Sequence, residues 1–113
     1  LRKGMIIMTA TKSINNLYLS EHLKTDRADR MVEILMSVGI GVVKWVQQST
    51  KDPGIEYRFS STGVMFVVAK EYDLITTAYI VNSKKVSAIF DGNAPKELWK
   101  KVLENEKKGL THN

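Results

Sequence analysis

Three short apolar segments follow one another between residues 55 and 82, and their spacing restricts this chain to few folds. They are IEYRFSS, VMFVVA and LITTAYIVN, separated by Ser61-Thr62-Gly63 and Glu71-Tyr72-Asp73. A fourth segment, KKVSAIF, follows Asn82-Ser83-Lys84. Separators this short suit hairpins, so the pattern predicts an antiparallel meander over residues 55–90. VMFVVA is apolar on both faces and is therefore expected to be the central strand.

The clearest helix signal lies in TDRADRMVEILMSVG, residues 25–39. Asp26 is a good N-cap, Asp29 three residues later resembles a capping box, and Gly39 is placed to end the helix. Apolar residues recur at helical spacing and form one stripe, which we expect to pack against the sheet. The stripe consists of Ala28, Met31, Ile34, Leu35 and Val38.

The remaining segments complete an α+β architecture. MIIMTAT, residues 5–11, is compatible with an edge strand, and SINNLYLSEHLK, residues 13–24, with a short helix capped by Ser13. GIGVVKWVQQ, residues 39–48, fits a strand or a helical continuation. APKELWKKVLENEKK, residues 94–108, predicts a closing helix. We expect N-terminal helices packed on a four-stranded or slightly larger antiparallel sheet, a C-terminal helix and a disordered tail over residues 108–113.

Length and composition exclude several classes of protein. The 113 residues suit a single domain over residues 1–113, and residues 1–4 are either an expression remnant or an unusual start. The absence of cysteine excludes disulfides and thiolate metal sites, and two histidines cannot build a histidine-rich site. No apolar run approaches the roughly 18 residues of a membrane span, nor is there a signal-peptide apolar region. We therefore expect a cytoplasmic protein without metal or cofactor.

The net charge of +5 and the pI near 9.5 favour contact with a polyanion. Part of the excess lies in KELWKKVLENEKK, where a solvated helix face is the alternative explanation.

Hydroxyl and guanidinium groups recur in the predicted strands. Alternation places Thr77 and Tyr79 on one face, away from Thr76. In the neighbouring strand Arg58 lies opposite Tyr57. If Arg58 and Thr77 share a face, that face carries groups that match phosphate oxygens. The alternative is that threonine and tyrosine are simply favoured in strands.

Candidate residues also cluster just before and within the predicted helix. His22 has a side chain that can act as general acid or base near neutral pH, although a surface or structural role is the alternative. Arg27 and Arg30 lie within and at the edge of the apolar stripe. They either extend to water around the core or border an anion site.

The order of these parts resembles the barnase–EndoU–colicin–RelE group of small ribonucleases over roughly residues 14 to 90. The features that carry the resemblance are an H…R…R helix, a Tyr-Arg strand, a central apolar strand and an IT-x-Y-type strand. Phage-associated members and RelE-like toxins are the most similar in layout. The resemblance implies helices packed on a curved antiparallel sheet, with RNA on the open sheet face.

By position, the resemblance implies catalytic roles for His22, Arg30, Arg58, Thr77 and Tyr79. His22 would take the proton of the 2′-hydroxyl or protonate the leaving oxygen. The two arginines would stabilise the negative charge of the transition state, and the two hydroxyls would orient the phosphate. This mechanism requires no metal. Arg27, Lys44 and Arg58 are predicted to bind nucleic acid. This sequence departs from the group in two respects: TDRADR is more acidic than the usual basic helix, and no second histidine is available to form a histidine acid/base pair.

Three functions follow as hypotheses. The first is binding or metal-independent cleavage of RNA, with an antitoxin or host factor as a further partner. The second is a non-catalytic phage or mobile-element protein that binds and modulates a host protein. The third is a small structural domain that assembles through exposed sheet edges.

Overall fold

The computed structural model describes residues 18–19 and 28–112. In chain order the elements are β1 (Tyr18–Leu19), α1 (Ala28–Ser37), β2 (Val43–Gln48), β3 (Ile55–Ser60), β4 (Val64–Ala69), β5 (Leu74–Ile80), α2 (Ser83–Phe90) and α3 (Lys96–Lys107). A short 3-10 helix, Lys70–Tyr72, joins β4 to β5.

The strands form one sheet in the order β1-β5-β4-β3-β2. Strands β2 to β5 are an antiparallel meander, and the two residues of β1 pair parallel to β5. The predicted α+β class is confirmed. VMFVVA is β4 and lies in the middle of the sheet, as its two apolar faces predict.

Three segments differ from the prediction or resolve an ambiguity in it. KKVSAIF, predicted to be a strand, lies in helix α2. The Asn82 side chain caps this helix by accepting from the Lys85 backbone N–H at 2.8 Å. GIGVVKWVQQ contains strand β2, which becomes the fourth antiparallel strand. SINNLYLSEHLK contains the two-residue strand β1 where a helix was predicted. The predicted strand at residues 5–11 and the caps Ser13 and Asp26 lie outside the described residues.

Both faces of the sheet are covered, and each has its own core cluster. On one face, Ile34 of α1 packs with apolar residues of β4 and β5: Val64, Phe66, Val68, Ile75, Ala78 and Ile80. On the other face, residues of α2 and α3 pack with β3, β4 and the residue that follows β5: Phe59, Met65, Val81, Val86, Leu98 and Val102. We call these the α1 face and the α2–α3 face.

A bulge in β5 changes which residues belong to each face. Val67 pairs with Thr77, but the next residue of β4, Val68, pairs with Ile75, so Thr76 is the extra residue. Its hydroxyl donates to the Val67 carbonyl at 3.1 Å. Strict alternation would place Ile75 on the face of Thr77, but because of the bulge Ile75 is buried in the cluster on the α1 face.

Helix α1 buries a narrower stripe than its sequence predicts. Ile34 is fully buried and Met31 and Val38 pack against its cluster, but Leu35 is 54% exposed. Assigning Leu35 to the core was therefore wrong. The helix ends as predicted, because Gly39 takes a left-handed φ of 73° and its N–H donates to the Ile34 carbonyl at 2.8 Å.

The turn between β3 and β4 ties the sheet to α3. Buried Asn105 donates from Nδ2 to the Thr62 carbonyl at 2.9 Å. Gly63 in the same turn has φ +87°, and a Cβ at this position would lie 2.6 Å from Asn105 Nδ2. Glycine is thus required both by the backbone conformation and by the close approach of α3.

The C-terminal residues return to the edge of β5. The His112 N–H donates to the Ile80 carbonyl at 2.7 Å, and His112 Nδ1 accepts from the Ile80 N–H at 2.8 Å. His112 Nε2 contacts a carboxylate oxygen of Glu33 on α1. The sequence predicts a disordered tail over residues 108–113, whereas in the structure His112 connects β5 with α1. None of the helices within residues 28–112 is long and apolar enough to cross a membrane.

Candidate functional site

The pairing of the strands separates two groups of predicted site residues. Arg58 pairs with Phe66, and Phe66 with Ala78, whereas Thr77 pairs with Val67. Residues paired across an antiparallel ladder point to the same face of the sheet. Arg58 therefore lies on the α1 face and Thr77 on the α2–α3 face. The shared face that would join a guanidinium to the strand hydroxyls does not form.

Arg58 is held by carboxylates within the α1 face. It is 8% exposed, its Nε donates to Glu56 Oε2 at 2.7 Å, and its Nη2 lies 3.8 Å from Asp73 Oδ1. Its Nη1 is buried without a hydrogen-bond partner. Burial and the bond to Glu56 leave little of this guanidinium for a phosphate on the protein surface.

Arg30 and Tyr79 do meet. The guanidinium carbon of Arg30 lies 4.8 Å from the centre of the Tyr79 ring, within the range of roughly 6 Å for cation–π contacts. Tyr79 also packs against the core cluster of the α2–α3 face. Because α1 covers the opposite face, the contact connects the two layers at β5. The Thr77 hydroxyl is buried and has no hydrogen-bond partner, so it does not face solvent.

Two of the predicted residues, His22 and Arg27, lie outside the described residues. Among the predicted catalytic residues that are described, Arg30 and Tyr79 are in contact, Thr77 shares the face of Tyr79, and Arg58 lies on the other face. They do not form one concave site. Within the described part of the chain, no three histidine, aspartate or glutamate side chains cluster so as to hold a metal ion.

A different group of residues surrounds a groove between β2 and α3. The groove has a volume of about 220 Å³. It is lined by Lys44, Trp45, Ser61, Glu97, Lys100, Lys101 and Glu104. We call it the β2–α3 groove. Lys44, predicted from the sequence as a nucleic-acid contact, is in this lining. Trp45 packs against the core cluster beneath it, so part of its indole is fixed while the remainder lines the groove.

The lysines of the β2–α3 groove differ in how they are paired. Lys101 Nζ lies 3.2 Å from Glu104 Oε1, and Lys108 Nζ lies 3.9 Å from the same oxygen. The hydrogen bond from Lys101 is the main cause that holds the pKa of Glu104 below its ordinary value. In residues 28–112, Lys44 and Lys100 form no ion pair with a carboxylate. Glu97 and Glu104 also line the groove, and the charge of Lys100 contributes, after Lys101, to the lowered pKa of Glu104.

A second pocket adjoins the first along α3. Its volume is about 390 Å³ and it is lined by Gly92, Ala94, Lys96, Trp99, Lys100 and Leu103. We call it the Trp99 pocket. Lys100 lines both cavities, so both lie beside this residue on the α3 side of the molecule. The walls of the Trp99 pocket are mainly apolar, and its two lysines, Lys96 and Lys100, are exposed.

Apart from Lys44, the residues that line the two cavities were not predicted from the sequence, for an identifiable reason. A solvated helix face is the usual explanation of a run such as the lysines of KELWKK. The available signal was the pair of tryptophans, Trp45 and Trp99, each beside lysine in the sequence. What the sequence lacked was the packing of α3 beside β2, which brings Lys44 and Lys100 together.

Comparison with family models, with curated proteins and with solved structures found no match for this chain.

Proposed function

We propose that this protein binds single-stranded RNA along the β2–α3 groove. The observation that carries the proposal is the placement of two lysines that form no salt bridge within the described residues, Lys44 and Lys100, beside the half-buried indole of Trp45. Proteins that bind single strands combine a basic groove for the backbone with aromatic rings on which bases stack. The net charge of +5 adds long-range attraction to any polyanion.

We choose RNA over other polyanions as the ligand because the sequence resembles small ribonucleases. Only the RNA-binding part of that resemblance is carried over, and the contact is placed in the β2–α3 groove instead of at the strand hydroxyls. Cleavage by the predicted catalytic set is left out, since Arg58 and Thr77 point to opposite faces of the sheet.

The test is the affinity of the full chain for a short fluorescent oligouridine, measured by anisotropy. Lys44→Ala combined with Lys100→Ala should weaken binding at least several-fold, because each removed phosphate contact loses its counterion-release term. The matched control is Lys84→Ala with Lys85→Ala, which removes the same charge from exposed lysines on α2 outside the groove. Equal losses in the two double variants would mean that net charge, and not the groove, accounts for binding.

A second candidate function, binding of a protein partner, is favoured by the outer side of α1. Val32, Leu35 and Met36 are 57%, 54% and 83% exposed and lie at the i, i+3, i+4 spacing of one helix side. Apolar groups exposed together often mark protein interfaces. Leu35→Ser with Met36→Ser should leave oligouridine affinity unchanged if the groove is the RNA site, while a protein-binding function would be lost in the same variant.

A further inference from the structure

The Trp99 pocket combines apolar walls with positive charge. Its volume of about 390 Å³ falls within the range of roughly 300–1,000 Å³ for small-molecule sites. An indole and the side chains of Ala94 and Leu103 supply apolar walls, while Lys96 and Lys100 supply positive charge. A wholly apolar ligand would form no ion pair with these lysines, and a phosphate without a base would not stack on the indole.

Trp99 is held in position by the core. It is half-buried and packs against the cluster of the α2–α3 face, so one side of the ring is fixed while it still lines the pocket. Lys96, Trp99, Lys100 and Leu103 follow the i, i+3, i+4, i+7 spacing of one helix side. Because α3 orients the ring in advance, little conformational entropy is lost when a planar group stacks on it.

One lysine is common to the two cavities. Lys100 lines both of them, Lys44 lines only the β2–α3 groove, and Lys101 is bonded to Glu104. A phosphate at Lys100 would place one neighbouring nucleotide towards Lys44 and the other towards Trp99. Stacking on the indole requires an unpaired base, since the faces of a base inside a duplex are covered by its neighbours.

We propose that the Trp99 pocket is a nucleobase subsite that makes the protein select single-stranded RNA over duplex RNA and over other polyanions. The proposal rests on the proposed RNA-binding function and adds the part of the ligand that is recognised. Every base has a face that can stack on an indole, so the subsite accepts any base and does not select an RNA sequence.

The test uses the two tryptophans of the chain as separate reporters. Trp45→Phe leaves Trp99 as the emitting residue, and titration with oligouridine should quench its fluorescence. Titration of the same variant with inorganic polyphosphate, which has charge but no base, should leave that fluorescence nearly unchanged. Quenching of equal size by polyphosphate would overturn the subsite.

Affinity gives a second and independent readout. Trp99→Leu should lower the ratio of oligouridine affinity to polyphosphate affinity by about 5- to 140-fold, which corresponds to the ~1–3 kcal/mol of one stacked base. Trp99→Phe keeps an aromatic face and should recover most of that ratio. The midpoint of urea unfolding, compared between the two variants, establishes that both are folded. An equal loss for both ligands, or no recovery with phenylalanine, would contradict base stacking.

Failure of the subsite and failure of the proposed function give different results. If oligouridine binds through Lys44 and Lys100 without quenching Trp99, the groove proposal stands and the subsite is overturned. If the chain with both lysines replaced binds oligouridine as tightly as the unaltered chain does, the groove proposal fails and the subsite fails with it.

Discussion

Ile34 and Leu35 are neighbours in α1 but lie in opposite environments, with exposed fractions of 0% and 54%. Ile34→Ala should destabilise the protein by about 2–5 kcal/mol, because it removes buried methyl groups and leaves a cavity. Leu35→Ala should change the free energy of unfolding by less than ~0.5 kcal/mol, as is usual for surface substitutions. Urea unfolding of the two variants measures both values. A loss above 2 kcal/mol for Leu35→Ala would mean that this side of α1 is covered in the folded chain.

At the same scale, His112 is expected to stabilise the end of β5. Its Nδ1 accepts from the N–H of Ile80, a residue with no exposed surface. The neutral ring then carries its proton on Nε2, which faces Glu33. His112→Ala should cost about 1–3 kcal/mol in the free energy of unfolding, because the Ile80 N–H loses its acceptor.

Glu33→Ala is the control for this prediction. It removes the other partner of the His112 ring. The side chain of Glu33 is 59% exposed, so its loss should cost at most ~1 kcal/mol in the free energy of unfolding. If His112→Ala is no more destabilising than Glu33→Ala, the tail does not secure the edge of β5.

Among the secondary-structure elements, α3 is joined to the start of α2 by one carboxylate. Glu106 accepts from the Ser83 N–H at 2.8 Å and from the Ser83 hydroxyl at 2.7 Å. These bonds, the backbone bond first, hold the pKa of Glu106 below its ordinary value of 4.5. A carboxyl whose pKa is lower in the folded chain stabilises the fold above the unfolded-state pKa, and this stabilisation is lost as the pH falls through the folded pKa.

Glu106→Gln should therefore destabilise the protein most at neutral pH, and the difference from the unaltered chain should shrink as the pH falls below about 4.5. Glu104 titrates in the same direction but is present in both proteins, so its effect cancels in the difference. Urea unfolding at a series of pH values checks this. A difference that stays constant from neutral to acid pH would show that the charge of Glu106 does not matter.

The elements also show where local sequence patterns were sufficient. The apolarity of VMFVVA on both faces predicted the central strand, because such a segment is stable only when both sides are covered. KKVSAIF was assigned to the meander although Val86, Ile89 and Phe90 have helical spacing and Asn82 is a good cap. A short apolar segment fits both periods, and the cap at Asn82 is the local signal that favours the helix.

At the scale of the whole molecule, the candidate site was harder to predict than the fold. Perfect alternation in LITTAYIVN would have given Ile75 and Thr77 one face, but the bulge at Thr76 shifts Ile75 to the other. Such a shift depends on pairing with β4, so the strand alone does not reveal it. Likewise, Lys44 and Lys100 are 56 positions apart in the sequence, and only the packing of α3 beside β2 joins them in one groove.

The salt dependence of oligouridine binding tests the central claim, that RNA contacts the β2–α3 groove through Lys44 and Lys100, most directly. The logarithm of affinity should fall linearly with the logarithm of salt concentration, with a slope of about 0.7 for each phosphate contacted on a single strand. Lys44→Ala with Lys100→Ala should reduce that slope by about 1.4, the sum for two lost contacts, while Lys84→Ala with Lys85→Ala should leave it nearly unchanged. An unchanged slope in the groove variant, or the same reduction in both variants, would contradict the claim.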